Sequence, residues 1–230
     1  MCGKFTAMAS WSETGAFSSF DAAETRYRGA EDFEVTFRVM GLVPLLVWDA
    51  ERQERRVIAA RWGFPHPDDW RRPQPIHARA ETIDTTRAFA DAFRGGQDGK
   101  GGRGIVLVKS FNEAPDSGEQ HVFEPNATKT GIAFVWRRFE VGAAAPLIAA
   151  VMVTVPANEM IAALPTNRMP AILEPQDWAK WIGEEPASPA ELKAMLRTKE
   201  GVNWKMRREY RARVNRDPKG QKGPVDLFER

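Results

Sequence analysis

Cysteine is nearly absent from this chain: among 230 residues Cys2 is the only one. An intrachain disulfide and a multi-cysteine zinc site are therefore excluded, and any thiol chemistry has to use Cys2. Histidine is almost as scarce. His66, His77 and His121 show no metal-ligand spacing, so neither a metal site nor a cofactor is expected. His66 and His121 read as loop residues far from one another. Long apolar runs are missing as well. None approaches the roughly 20 residues needed to span a bilayer, and no signal-peptide apolar region follows Met1-Cys2-Gly3-Lys4, so a soluble, cytoplasmic protein with no membrane partner is expected. Charge of one sign is not in excess either. The 33 basic and 31 acidic residues leave a net charge of +2, which says little about a partner.

What the chain does have is the material for a core. It is 43% hydrophobic and 28% charged, with eight tryptophans and thirteen phenylalanines, a globular composition and not a disordered one. The length fits a single domain over residues 1–230, with no repeat and no clean linker. The charge is unevenly spread. Lys205, Arg207, Arg208, Arg211, Arg213, Arg216, Lys219 and Lys222 face only Glu209 and Asp217 in the segment 205–222. Such a stripe can track a phosphate backbone, although a solvated surface is the commoner explanation.

Hydrophobic periodicity gives a coarse map. Leu42 to Trp48 and Arg56 to Trp62 read as two strands joined by the polar turn Asp49 to Glu54, which makes a hairpin. The cluster from Gly63 to Asp69 breaks the chain into a loop ending at Trp70-Arg71-Arg72. Ile76 to Thr82 reads as extended, Thr85 to Phe93 as a helix, and the glycine-rich segment 95–104 as a mobile surface loop. The ending of a phosphate-cradling loop is missing there. Ile105 to Val108 is a buried strand, and Ile132 to Trp136 and Ala149 to Val155 are further strands. A short helix is expected over Thr14 to Thr25, others near Pro175 to Ile182 and over Ser188 to Leu196, the last with a capping start. The sum is an α+β domain with an antiparallel, barrel-like sheet core and flanking helices.

Chemistry-bearing residues are few. Removal of Met1 would leave Cys2 with a free α-amine beside its thiol, a 1,2-aminothiol that no internal cysteine can provide. The amine titrates ordinarily near about 7.7–8.0 and the thiol near about 8.5, so either can act as a nucleophile at neutral pH. With an aldehyde the pair gives an imine and then a thiazolidine ring. The competing reading is an incidental residue in a frayed terminus. Glu113 ends a very apolar strand, where desolvation suits a carboxyl to shuttling protons; a loop glutamate facing water is the alternative. His77 and Arg79 alternate with Ile76 and Ala78 and so share a face, able to bind phosphate, or Arg79 pairs only with Glu81. A Cys2/His77 dyad is a further arrangement that a fold could assemble. Trp70 could stack on an exposed base, though tryptophan is more often core.

Several blocks occur in order: Met1-Cys2-Gly3-Lys4, Trp62-Gly63-Phe64, Ile76-His77-Ala78-Arg79-Ala80-Glu81-Thr82 followed by Arg87, Phe111-Asn112-Glu113, and Pro165-Thr166-Asn167-Arg168-Met169-Pro170-Ala171-Ile172-Leu173. Together they resemble the SOS response-associated peptidase family, over Met1 to about Asn215. The resemblance implies autocatalytic loss of Met1, followed by covalent trapping of abasic sites in single-stranded DNA as a thiazolidine crosslink. It implies Cys2 as nucleophile and Glu113 as proton shuttle. Arg79 and Arg87 would hold DNA phosphates, and Lys4 and Arg168 fall in matching blocks on the DNA-binding side. Trp70, beside Arg71 and Arg72, is expected on that side from its own position, and a monomer with no obligate protein partner is expected.

Two blocks depart from the family pattern. His77 stands where the family has asparagine, and Thr166-Asn167 stand where it has His-Asp before Arg-Met-Pro. A threonine hydroxyl barely titrates near pH 7, so Thr166 cannot replace an acid or base, and His77 is expected to supply the imidazole from the opposite side. A DNA-binding member that has lost the crosslinking is the first alternative. The second is an N-terminal-cysteine amidohydrolase, since Cys-Gly also starts class II glutamine amidotransferases.

Overall fold

The computed structural model describes residues 4–7, 36–72, 74–96, 99–113, 120–125, 130–141, 146–164 and 166–209. Strands β1 (Lys4–Ala7) and β2 (Thr36–Arg38) precede a hairpin of β3 (Leu42–Asp49) and β4 (Glu54–Trp62). Strand β5 (His77–Arg79) runs into a 3-10 turn, Ala80–Thr82, and then a short helix α1 (Ala90–Phe93). The long strands β6 (Gly101–Glu113), β8 (Thr130–Phe139) and β9 (Leu147–Pro156) follow, with β7 (Gln120–Glu124) after β6. Helix α2 (Glu159–Ala162), strands β10 (Arg168–Pro170) and β11 (Ile172–Leu173), helices α3 (Trp178–Ile182) and α4 (Pro189–Met195), and strand β12 (Lys205–Glu209) complete the order.

Among the described residues all twelve strands belong to one sheet, and five of them close a ring: β3 pairs β4, β4 pairs β9, β9 pairs β8, β8 pairs β6, and β6 returns to β3. The expected α+β class, mostly strands with a few helices, is what the chain forms. The pairings of β9 with β4 and β5 are parallel, while the others are antiparallel. Closure explains the sequence of β9. A strand with neighbours on both edges and packing on both faces reads as an unbroken apolar run instead of an alternation, and residues 149–155 are all buried.

The hairpin has the expected turn: Asp49 and Glu54 are the last paired residues, and Asp49 Oδ1 accepts from the amides of Glu51 and Arg52. Helix α4 starts as its capping signature requires, with Ser188 and Glu191 bonding each other's backbone amides. The Thr85 to Phe93 helix is shorter than expected. Thr82 O accepts from Thr85 and Thr86 in a turn, and only Ala90–Phe93 is helical. The Thr14 to Thr25 helix lies outside the described residues.

Two readings are corrected. Gly101, Gly102 and Gly104 are buried strand residues of β6 and no part of a surface loop. Close packing is the reason. A Cβ on Gly104 would lie 2.6 Å from Leu45 Cγ, so the strand can cross the ring there only without a side chain. His121, read as a loop residue, sits in β7 and is buried. The polar residues on either side of its short Val122-Phe123 core hide the alternation.

Candidate functional site

Strands β6 and β9 both run antiparallel to β8 and are therefore parallel to each other. Their C-terminal ends share one end of the sheet, and most of the candidate residues collect there. Glu113 closes β6 and is fully buried. The register of β6 with β1 shifts between Thr6 and Ala7, where Lys109 is the extra residue of a bulge. A bulge re-aims the side chains that follow it, and here those are Phe111, Asn112 and Glu113. Lys4 pairs with Asn112 on this segment and with Arg38 on the other side. Cys2 itself lies outside the described residues.

At the end of β9, strand β5 lies along one edge and β10 along the other. His77 pairs with Met152 and Arg79 with Thr154, while Pro170 pairs with Thr154 and Arg168 with Pro156. His77 is half-buried, its ring meeting Trp62 edge-on at 6.3 Å, and Arg79 is exposed. Thr166 is half-buried in the link before β10, and its amide donates to Leu164 O at 2.6 Å.

Arg168 is the most constrained of the cations. Its Nη1 and Nη2 donate to the two carboxylate oxygens of Glu81, and Nη2 also donates to Thr154 O at 2.6 Å and Thr154 Oγ1 at 3.3 Å. The fork geometry of guanidinium and carboxylate makes this pair directional. One of the two sequence readings paired Glu81 with Arg79. The bidentate partner is Arg168, and Arg79 acts on Glu81 only as a more distant charge. The hydrogen bonds from Arg168 hold the Glu81 carboxyl below its usual range. A carboxyl depressed in the folded state contributes stability that is present above its unfolded value and lost as pH falls through the folded one. Because Glu81 is about half exposed, the contribution is on the order of 0.5–1 kcal/mol after screening. Glu81→Gln is expected to lower the thermal midpoint slightly at pH 7. The gap from the parent should close as pH falls below about 4, which thermal unfolding across a pH series would check.

Among the described residues, no hydrogen bond or ion pair ties Arg87 or Trp70 to the cluster. Arg87 lies exposed in the turn before α1. Trp70 is exposed and tied to the other half of β9: Arg61, which pairs with Ala149, donates to Trp70 O at 2.7 Å. Arg71 covers the Trp70 ring at 5.9 Å. Of the basic segment 205–222, residues 205–209 form β12 beside β7, with Lys205, Arg207 and Arg208 exposed. Residues 210–222 lie outside the described residues.

His121 is the residue that sequence reasoning missed at this end of the sheet. It pairs directly with Glu113 across β6 and β7. A signal was available: Gln120-His121-Val122-Phe123 has strand-forming residues within reach of the Glu113 strand. Among the described residues no group of three or more His, Cys, Asp or Glu side chains could hold a metal ion, and no helix is long and apolar enough to cross a membrane.

Fold and site together define a strand-rich α+β protein whose buried carboxyl, imidazoles and arginines gather at one end of a strand ring. The model of the SOS response associated peptidase family matches residues 1–216, and the chain belongs to that family. Membership carries a DNA-damage-associated, peptidase-like fold. Among solved structures, a protein from Bacteroides thetaiotaomicron is similar with a TM-score of 0.75 at 18% identity, over 91% of this chain and 93% of that one. A protein from Bordetella bronchiseptica has a TM-score of 0.71 at 17% identity, over 91% and 100% of the two chains. A phage-related protein of the same organism has 0.59 at 15%, over 90% and 94%. At such identities the likeness is one of fold. No curated protein is similar enough to count as a match.

Proposed function

We propose that this protein removes its own Met1 and uses the exposed Cys2 to trap abasic sites in single-stranded DNA as a thiazolidine crosslink. It would act as a cytoplasmic monomer built as one domain, with a basic C-terminal segment over 205–222. The observation that carries the reading is the pairing of Lys4 with Asn112, the neighbour of Glu113. Cys2 is two residues upstream of Lys4, and two residues reach at most about 7 Å. Lys4 is thereby paired to the strand end that holds a buried carboxyl, which supports a role for Glu113 next to Cys2.

The chemistry balances without a cofactor. Water cleaves the Met1–Cys2 peptide bond, and Glu113 moves the proton that the departing amine requires. The freed amine adds to the aldehyde of the ring-opened sugar, water leaves, and the thiol then adds to the imine carbon while the nitrogen takes up a proton. Exposed Arg79 and Arg87 would contact phosphates, giving affinity with little sequence preference and steep salt dependence. Arg168, committed to Glu81, would position the 3-10 turn and the strand ends for that contact instead of binding phosphate alone.

Incubation with an abasic single-stranded oligonucleotide is expected to give a heat-stable band on a denaturing gel, absent with undamaged oligonucleotide and absent for Cys2→Ala. Intact mass should show the loss of one methionine. Salt-sensitive binding with no covalent band, in a chain whose Met1 is gone, would instead identify a binding member in which Thr166 has cost the crosslinking. Glutamine hydrolysis would identify the amidohydrolase.

A further inference from the structure

Glu113 and His121 are directly opposed across β6 and β7. Residues opposed in this way share one face of the sheet, with Cβ atoms about 4.5–5.5 Å apart. Both side chains are buried, at 0% and 6% exposure. His121 Nδ1 is a buried nitrogen with no hydrogen-bond partner among the described residues. Burying a polar nitrogen without a partner costs free energy, so it calls for a use or a bridging water.

The surroundings favour a use. Phe111, two residues before Glu113, stacks on Phe123, two residues after His121, at 5.4 Å and 17°. Trp204 closes on Phe111 edge-on at 5.8 Å. The carboxyl and the imidazole therefore stand at the end of an aromatic wall, where low polarity strengthens any hydrogen bond between them. Arg208 faces His121 from β12 and is exposed. Meanwhile Thr166 has no titrating group to offer.

We propose that His121 is a positioning residue for Glu113, exchanging a hydrogen bond with its carboxyl directly or through one water. It would hold and return the proton as Glu113 alternates between base and acid. Imidazole suits this because one ring nitrogen can donate while the other accepts. The assignment rests on the function proposed above, and it gives the imidazole role to His121 in place of His77.

The test uses the full chain with three readouts. His121→Ala should slow Met1 loss, followed by intact mass, and crosslinking, followed on gels, by about 10- to 100-fold, the range for removing a residue that orients a reactive group. Imidazole added to His121→Ala should restore much of the rate, and Thr166→His should do so in a His121→Gln background. A merely structural histidine would yield neither rescue. In solution NMR the wild type should show an exchange-protected ring N–H signal of His121 that Glu113→Gln removes. A His121→Ala variant that processes and crosslinks at the wild-type rate overturns the inference, as does a slow variant that neither change rescues. A wild type that shows the protected N–H yet never crosslinks overturns the proposed function while leaving the pairing in place.

Discussion

Glu113→Gln is expected to slow the removal of Met1 by about 10²- to 10⁴-fold, the usual worth of a general acid–base group. The substitution keeps the side chain's shape, so a fully buried position at the end of β6 should accept it. What it removes is the capacity to take up and release a proton. An amide neither accepts the proton from the attacking water nor delivers one to the departing amine of Cys2. Purified protein should then retain the mass of the intact chain, while the parent is lighter by one methionine. Thermal unfolding should be near that of the parent. Making Cys2 the first residue by cleaving a leader with a protease separates the two roles of the carboxyl. If Glu113 also serves ring closure, the pre-cleaved variant should still crosslink slowly. A variant that loses Met1 at the parental rate would remove Glu113 from the mechanism.

The parts of the fold that were legible in the sequence are those whose pattern is local. The β3–β4 hairpin announced itself by two apolar runs around a polar turn, and α4 by its Ser188-Pro189-Ala190-Glu191 start. Strands β7, β10, β11 and β12 have two to five residues each, too few for a period to emerge, and they are defined by partners far away in the chain. Of the candidate residues, Glu113 was legible as the end of an apolar strand and Arg79 by its alternation with His77, whereas Arg168 was picked out only within its ordered block. The geometry was not legible, because it depends on contacts between distant segments. Arg168 and Glu81 are 87 residues apart, and only the pairing of β5 and β10 with the same stretch of β9 brings them together. The burial of His121 was missed for the same reason: its place opposite Glu113 is decided by register alone.

Arg103→Ala is expected to destabilise the protein by about 4 kcal/mol, from the loss of two hydrogen bonds made by a charged donor at roughly 1.5–3 kcal/mol each. Arg103 lies in the glycine-rich stretch that composition assigns to a surface loop, yet it is buried in β6 at 8% exposure. Its Nε donates to Trp181 O and its Nη1 to Phe93 O, at 2.6 Å for the latter. Those carbonyls belong to the last turns of α3 and α1, where backbone oxygens have no partner within the helix. One guanidinium therefore completes the ends of both short helices and fastens them to the ring. Burial pushes it down to about 10, which still leaves it charged at neutral pH. Glycine makes the space: a Cβ on Gly183, at φ +92°, would come within 3.3 Å of Arg103 Nη2. Replacing a buried charge can be neutral when apolar groups fill its place, but alanine fills nothing and leaves two carbonyls buried without donors. At about 2–4 °C per kcal/mol for a chain of this size, the thermal midpoint should fall by about 8–16 °C. Arg103→Lys should recover less than half, because one compact ammonium cannot serve two carbonyls as a planar fork does. Thermal unfolding followed by near-ultraviolet circular dichroism would report the eight tryptophans, two of which, Trp178 and Trp181, lie on α3. A midpoint within about 2 °C of the parent would mean that the helices hold to the ring without this residue.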